Sequence, residues 1–508
     1  MSRLSNPSRT VLLGLFALTF AGTLRLLTGG GQRVRVPAAP EVRGKNQLVE
    51  LTLRAETTAD GHGAFSFNGQ TLPPVIRVSP GDVLKMTYIN AMSSPSPLSC
   101  ATGPCMNMTN LHFHGLGVSP NAPQDDVLDM IAMPGQTLNY AVAIPSGQPP
   151  GLYWYHTHPH GESQRQALDG MSGAIVVEGI DEYVPEVRTL RERVLVIRGR
   201  DIEHDPDAES LRRQVGISDA ACGTAREAAE RIMTVNGAVR PEIALAPGER
   251  QFWRIVNAAA DTYADIQIDG QPLEIVALDG IPRGYYDAPT RNPRADHRLL
   301  PPGGRLEVIV TGPPTGTPAA LRTRCVDTGP AGDPNPEMVL ADLVPGARSD
   351  RTVGRPFEGR QRGPDRPALA MSQVHRHPSL DNLQTTEPHF IVTFTEDKGG
   401  FYINGQKFVM AAQPMVRVNV GSYQHWRIVN DTDEIHPMHI HQAHFLAYAE
   451  NGGPLPDPVW VDTFNVPYRG SIDVIVDVTD PVIRGMAVFH CHLLNHEDKG
   501  MMAKVLFK

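Results

Sequence analysis

Short runs in which apolar and polar residues alternate, cut by glycine, proline and asparagine, fill this chain from about residue 45 onward. "PVIRVSPGDVLKMTYIN", Pro74 to Asn90, holds two strand-like runs joined by Pro-Gly. Such alternation puts every second side chain on one face of a strand, and Pro-Gly turns stop it. An all-β chain is therefore predicted. One unit of this pattern recurs three times: "FSFNGQTLPPVIRVSPGDVLKMTYIN" from Phe65, "MTVNGAVRPEIALAPGERQFWRIVNA" from Met233 and "FYINGQKFVMAAQPMVRVNVGSYQHWRIVND" from Phe401. In each, a strand ends in Asn-Gly, a second strand follows, then a turn with glycine and a third strand that ends in Asn. The Asn-Gly pairs begin at Asn68, Asn236 and Asn404, 168 residues apart both times. That interval is one domain long, so three homologous Greek-key β-sandwich domains are expected.

The length of 508 residues agrees, because one hydrophobic core stops growing near ~250 to 300 residues. The expected boundaries are 45–182, 183–345 and 368–508. Between the last two, 346–367 is rich in Arg, Gly and Pro and reads as a linker. The middle domain carries a charged insert from Asp205 to Ile232, predicted partly helical. Residues 1–30 hold Arg3 and Arg9, no acidic residue, and an apolar run from Val11 to Leu24. This suits an export signal, with an uncleaved anchor as the alternative, and gives a periplasmic or extracellular location. A net charge of −9 without a basic stripe gives no sign of a nucleic-acid partner, so none is expected, and a monomer is expected. Of the five cysteines, Cys100 can pair with Cys105 and Cys222 with Cys325, which leaves Cys491 over.

The nineteen histidines change the picture. The middle domain holds only His204 and His297, while most of the others fall in "NLHFHGLGV", "GLYWYHTHPHG", "DEIHPMHIHQAHF" and "AVFHCHLLNHEDKGMM". Each segment contains His-x-His: His112 with His114, His156 with His158, His439 with His441, and His490 with His492. On a strand, residues i and i+2 share a face, so each pair offers two imidazoles side by side. A lone strand histidine is ordinarily structural, but four such pairs point to metal. Imidazole alone suits Zn, Cu, Fe or Ni. Cys491 narrows the choice: its side chain points away from His490 and His492 and must serve a second site. His436, His496 and Met501 are available there, and two histidines, a thiolate and an axial methionine form a blue-copper set. The thiolate would hold one copper while its covalent neighbours hold the next cluster.

At this point the sequence resembles a three-domain multicopper oxidase of the bacterial laccase-like kind. The four segments match that family's HxHG, WxHxH, HPxHxH and HCHxxxHxxxxM patterns. The resemblance implies three consecutive cupredoxin-like domains and four copper ions. Type 1 copper would take His436, Cys491, His496 and Met501. Type 2 would take His112 and His439, and the type 3 pair His114, His156, His158, His441, His490 and His492. The middle domain would be a spacer without copper. Phe113 stands where the family often has Trp. His160 and His444 match no ligand position and read as supporting residues; His375 and His377 lie outside any motif. No methionine-rich insert is present.

The implied activity couples one-electron oxidation of phenols or aromatic amines to four-electron reduction of O2 to water. The alternative is a metallo-oxidase of Cu(I) or Fe(II); a non-enzymatic cupredoxin scaffold is the more distant one. A copper nitrite reductase would lack four His-x-His pairs. Protons for the reaction need carboxylates, because the cluster imidazoles are committed to metal. Glu497, directly after His496, matches the family's acidic residue on the dioxygen side. Asp125 is the candidate toward the type 2 side, with Asp126 beside it.

Overall fold

The computed structural model describes residues 34–94, 107–217, 222–224, 230–286, 294–346 and 387–508. The export segment, Cys100 and Cys105, nearly all of the linker, His375 and His377 lie outside them. Within them the chain is β-sandwich throughout, as the alternating pattern predicts. Six sheets fall into three consecutive pairs of five and four, seven and five, and six and five strands.

In the first pair, Val49, Leu51, Leu53 and Ala55 project from strand Leu48–Thr57, and Leu84, Met86 and Tyr88 from strand Val83–Ala91. They meet Ile76, Tyr153, Tyr155 and Ile175 of the facing sheet. The predicted repeat is realised turn by turn. Asn68, Asn236 and Asn404 have φ of 50°, 50° and 49°, followed by Gly69, Gly237 and Gly405 at 76°, 80° and 72°. Positive φ at both central residues is the condition of the tight hairpin turn that Asn-Gly favours. The asparagine that ends each third strand also repeats its role. The Nδ2 groups of Asn90, Asn257 and Asn430 each donate to two main-chain carbonyls, while the Oδ1 atoms accept the N–H of Met92, Ala259 and Thr432. The charged insert is helical over Ala208–Val215, and Cys222 is disulfide-bonded to Cys325.

Several strands are buried on both faces and read as continuous apolar runs, and two of them lead to the histidine motifs. Strand Gly151–His156 sends Tyr153 and Tyr155 into its own core. Its other face, Leu152 and Trp154, packs on Val196, Val256 and Ala258 of the middle domain. Strand Gly485–Cys491 sends Phe489 and Cys491 into its core and turns Val488 the other way, against Val127 and Leu128.

Asn90→Ala removes a fully buried amide, leaves the N–H of Met92 without its acceptor and takes a donor from the carbonyls of Asn107 and Ala132. A loss of about 1–3 kcal/mol is expected in urea unfolding of the metal-free protein; a change below about 0.5 kcal/mol would contradict this role.

Candidate metal centre

Register brings the histidine strands together. His112 pairs with His156 across the first domain, and His439 with His490 across the third. The two sets then interleave. His112 stacks on His441 with ring centroids 3.7 Å apart, and His114 on His439 at 3.8 Å. The Nε2 atom of His490 lies 3.3 Å from that of His158 and 3.2 Å from that of His441. All eight imidazoles of the four His-x-His pairs are buried.

The hydrogen bonds of these rings decide which nitrogen is free. His112 Nδ1 is 2.9 Å from Asp125 Oδ2, His156 Nδ1 is 3.0 Å from Thr157 O, and His439 Nδ1 is 2.8 Å from Asp462 O. In each, Nε2 has no partner. His114 is reversed: its Nε2 lies 3.0 Å from Asp462 Oδ1 and its Nδ1 is unpartnered. In His492 neither nitrogen has a partner. Burial, and then the neighbouring rings, hold His112, His114, His156, His158, His441 and His492 well below the ordinary imidazole range. Burial brings His439 down to about 4. A neutral ring with one nitrogen tied and the other bare is a metal ligand with its tautomer fixed.

On the opposite face of the same strand lies a second convergence. Cys491 Sγ is 3.4 Å from His436 Nδ1 and 3.8 Å from His496 Nδ1, and those two nitrogens are 3.2 Å apart. Burial pushes the Cys491 thiol well up and brings His436 down to about 3. Phe401 stacks on His496 at 4.0 Å. Met501 is fully buried, and its carbonyl accepts the Cys491 N–H at 3.1 Å. A soft thiolate with two imidazoles and no carboxylate in the set suits copper.

Models of the multicopper oxidase family match residues 52–182, 203–316 and 375–508. The chain belongs to the multicopper oxidase family. A multicopper oxidase of Staphylococcus haemolyticus is 22% identical over 87% of this chain and 83% of its own. A Bacillus subtilis laccase is 25% identical over 70% of this chain and 71% of its own. The solved structure of a Campylobacter jejuni multicopper oxidase described as a metallo-oxidase superposes with a TM-score of 0.67 at 21% identity, covering 94% of this chain and 96% of that one.

Of the three carboxylates of this multicopper oxidase that the sequence singled out, Asp125 and Glu497 reach the cluster and Asp126 does not. Asp125 is held by the Phe113 N–H at 2.9 Å and by Gln442 Nε2 at 2.6 Å. Asp126 turns back into its loop to accept the N–H groups of Leu128 and Asp129. Glu497 Oε1 accepts Ser163 Oγ at 3.1 Å and lies 3.6 Å from His158 Nδ1. Its Oε2 lies 3.7 Å from His490 Nδ1 without a hydrogen-bond partner. Burial pushes both Asp125 and Glu497 well above the carboxylate range. Phe113 packs edge-on to Tyr140, and His160 lies edge-on to Phe408. His444 donates to Asp279 O at 2.9 Å.

Sequence reasoning missed Asp462, Arg305 and Asp279. Their one signal is a charge inside an apolar run, as in "VWVDTFNV" and "GGRLEVIV". A cavity beside His496 was also missed; Asp261, Asp333, Glu434, Tyr263 and Thr328 line it. Glu434 Oε1 lies 3.4 Å from His496 Nε2, and burial together with the Glu396 carboxylate pushes Glu434 up to about 9.

Because the Cys491 thiol is raised, it carries its proton at neutral pH and must release it to bind metal. Affinity at that site should fall as pH falls, by about tenfold per unit. Loading metal-free protein with copper in a pH-stat at pH 7 should release about one proton fewer per chain from Cys491→Ser than from wild type. Equal release from both would show that the thiol is not a ligand.

Proposed function

We propose that this enzyme couples one-electron oxidation of small reducing substrates, phenols and aromatic amines among them, to four-electron reduction of dioxygen to water. One observation carries the reading. Cys491 converges with His436 and His496 on one face of a strand, and its covalent neighbours His490 and His492 stand in the eight-imidazole cluster on the other. His436, Cys491 and His496, together with Met501, would hold the type 1 copper. His112 and His439 would hold type 2, and His114, His156, His158, His441, His490 and His492 the type 3 pair. When bound, these four copper ions supply one-electron acceptance at the first site and dioxygen reduction at the cluster.

The protein's own part is wiring, orientation and protons. One main-chain segment, His490 to His492, links the two sites and gives electrons a through-bond route. Asp125 fixes the His112 tautomer, and Thr157 and Asp462 main-chain oxygens fix those of His156 and His439. Glu497, with its pKa raised by burial, holds a proton between His158 and His490 and can pass it toward the cluster, with Ser163 at its other side. Export is part of the proposal, supported by the Val11–Leu24 apolar run and by the Cys222–Cys325 disulfide, which persists in oxidising compartments.

A second reading, oxidation of ferrous ion, is favoured by the acidic cavity against His496. Carboxylate oxygens suit hard cations better than Cu(I). Asp333→Asn combined with Glu434→Gln should lower kcat/KM for ferrous ion by about tenfold or more and leave that for a neutral phenol within about twofold. Equal losses for both would remove the metallo-oxidase reading.

Cys491→Ser should lack the intense blue band and steady-state oxygen uptake while the cluster still binds copper. A blue, active variant would refute the assignment. Glu497→Gln should keep full copper and the blue band but turn over about 10²-fold more slowly, with type 1 copper bleached during turnover. Wild-type rates across the pH range would make Glu497 a bystander.

A further inference from the structure

The middle domain supplies no histidine to the cluster, yet it reaches the cluster through one fully buried cation. Arg305 opens strand Arg305–Thr311 and is completely buried. Its guanidinium grips Asp462 of the third domain with both ends of the fork, Nη1 donating to Oδ1 at 2.7 Å and Nη2 to Oδ2. Nη1 also donates to Gly303 O at 3.0 Å, and Nε to Leu152 O of the first domain at 3.2 Å. The gripped carboxylate then faces two rings of the cluster. Asp462 Oδ1 lies 3.0 Å from His114 Nε2 and 3.7 Å from His439 Nδ1. Asp279 sets the pair from behind: its Oδ1 accepts the Arg305 N–H at 2.7 Å, and its Oδ2 accepts the Asp462 N–H at 3.2 Å.

Space around the pair is reserved. A Cβ on Gly115, which has φ of 85°, would lie 2.5 Å from both Arg305 Nη2 and Asp462 Oδ2. That gives the glycine of the HxHG motif a task in this chain. Gly303 brings the middle-domain backbone equally close, where a Cβ would lie 3.0 Å from His114 Cε1 and 3.2 Å from His492 Nε2. One carboxylate thus touches all three domains at the point where His114 must present Nδ1, not Nε2, to the cluster.

We propose that Arg305 is a positioning residue, which from the middle domain fixes Asp462 and so the tautomer of His114 through the Asp462 carboxylate and that of His439 through the Asp462 main-chain oxygen, leaving His114 Nδ1 and His439 Nε2 free for copper. Arginine is required because its planar fork matches both carboxylate oxygens at once, which an ammonium cannot do. Without the fork, Asp462 is a buried charge without its counter-ion, with Oδ1 left to Thr463 Oγ1 and His114 and Oδ2 without its arginine donor. The middle domain is then an organiser of the cluster, beyond the spacer that the family resemblance implies.

The inference rests on the copper reading above, and the test separates the two. Full-length holoprotein is prepared as wild type, Arg305→Met, Arg305→Lys and Asp279→Asn, and each is assayed for copper content, blue absorption, type 2 electron paramagnetic resonance and turnover. Arg305→Met should keep the blue band, lose copper from the cluster, and drop in kcat by about 10- to 100-fold with donor KM unchanged, since the donor meets a different site. Arg305→Lys, which keeps the charge but not the fork, should retain copper with altered type 2 hyperfine parameters and a smaller kcat loss. Asp279→Asn should shift the type 2 signal in the same direction, and with Arg305→Lys it carries the test if Arg305→Met does not fold. Wild-type copper content and type 2 parameters in Arg305→Lys and Asp279→Asn, with only thermal stability lowered, would reduce the pair to an interdomain tie and overturn the proposal. A wild-type protein without a type 2 signal would overturn the copper reading itself, and this inference with it.

Discussion

Eight imidazoles can share one buried volume only if they are uncharged. Each ring that gained a proton would bury a cation among seven neighbours, and both burial and ring-to-ring repulsion oppose that here. The neutral state has a second consequence. A neutral imidazole has one N–H to place and one lone pair to use, so any fixed acceptor outside the cluster directs the lone pair inward. Asp125, Thr157 O and both the carboxylate and the main-chain oxygen of Asp462 are those acceptors, and the bare nitrogens of His112, His156, His114 and His439 are the result. Hydrogen bonds at the rim therefore decide the ligand set at the centre.

The pleat of strand Gly485–Cys491 connects this cluster to the thiolate site. Side chains alternate across a strand, so a residue packed in the core, Cys491, has a neighbour, His490, on the far face by geometry alone. The same parity sorts strand His436–Ile440. His436 shares its face with Met438 and Ile440, which lie in the core with Cys491, while His439 joins the cluster. Two sites that need different surroundings are thus built from the two faces of two adjacent strands. The middle domain braces both. Arg305 and Asp279 hold Asp462 at the cluster, and Asp261 accepts the N–H of Asn495 in the short helix that carries His496 and Glu497.

Much of this was legible in the sequence, for local reasons. Strand alternation, the Asn-Gly turns and the His-x-His and His-Cys-His spacings each act within a few residues, and the structure realises them at the predicted positions. The repeat was legible because each Asn-Gly turn needs the same unusual backbone. What stayed hidden depends on long-range partners. The choice between Asp125 and Asp126 turns on which carboxylate meets the Phe113 N–H, a matter of loop path. Asp462 and Arg305 are 157 residues apart, and each by itself is one charge in an apolar run. The acidic cavity gathers Asp261 and Asp333 from one domain and Glu434 from another. Spacing motifs do not encode such meetings.

On the proposed function, thiolate site and cluster form one electron-storing unit. Anaerobic reductive titration of the fully loaded, oxidised protein tests it most directly, with the blue band and the cluster's near-ultraviolet absorption followed together. About four electrons per chain should be taken up and both absorptions should bleach in a single coupled course, because electrons delivered to the copper that Cys491 would hold could equilibrate with the cluster through His490 and His492. Bleaching of the blue band after about one electron, with the cluster left oxidised however long the mixture stands, would show the two sites to be unconnected and would contradict it.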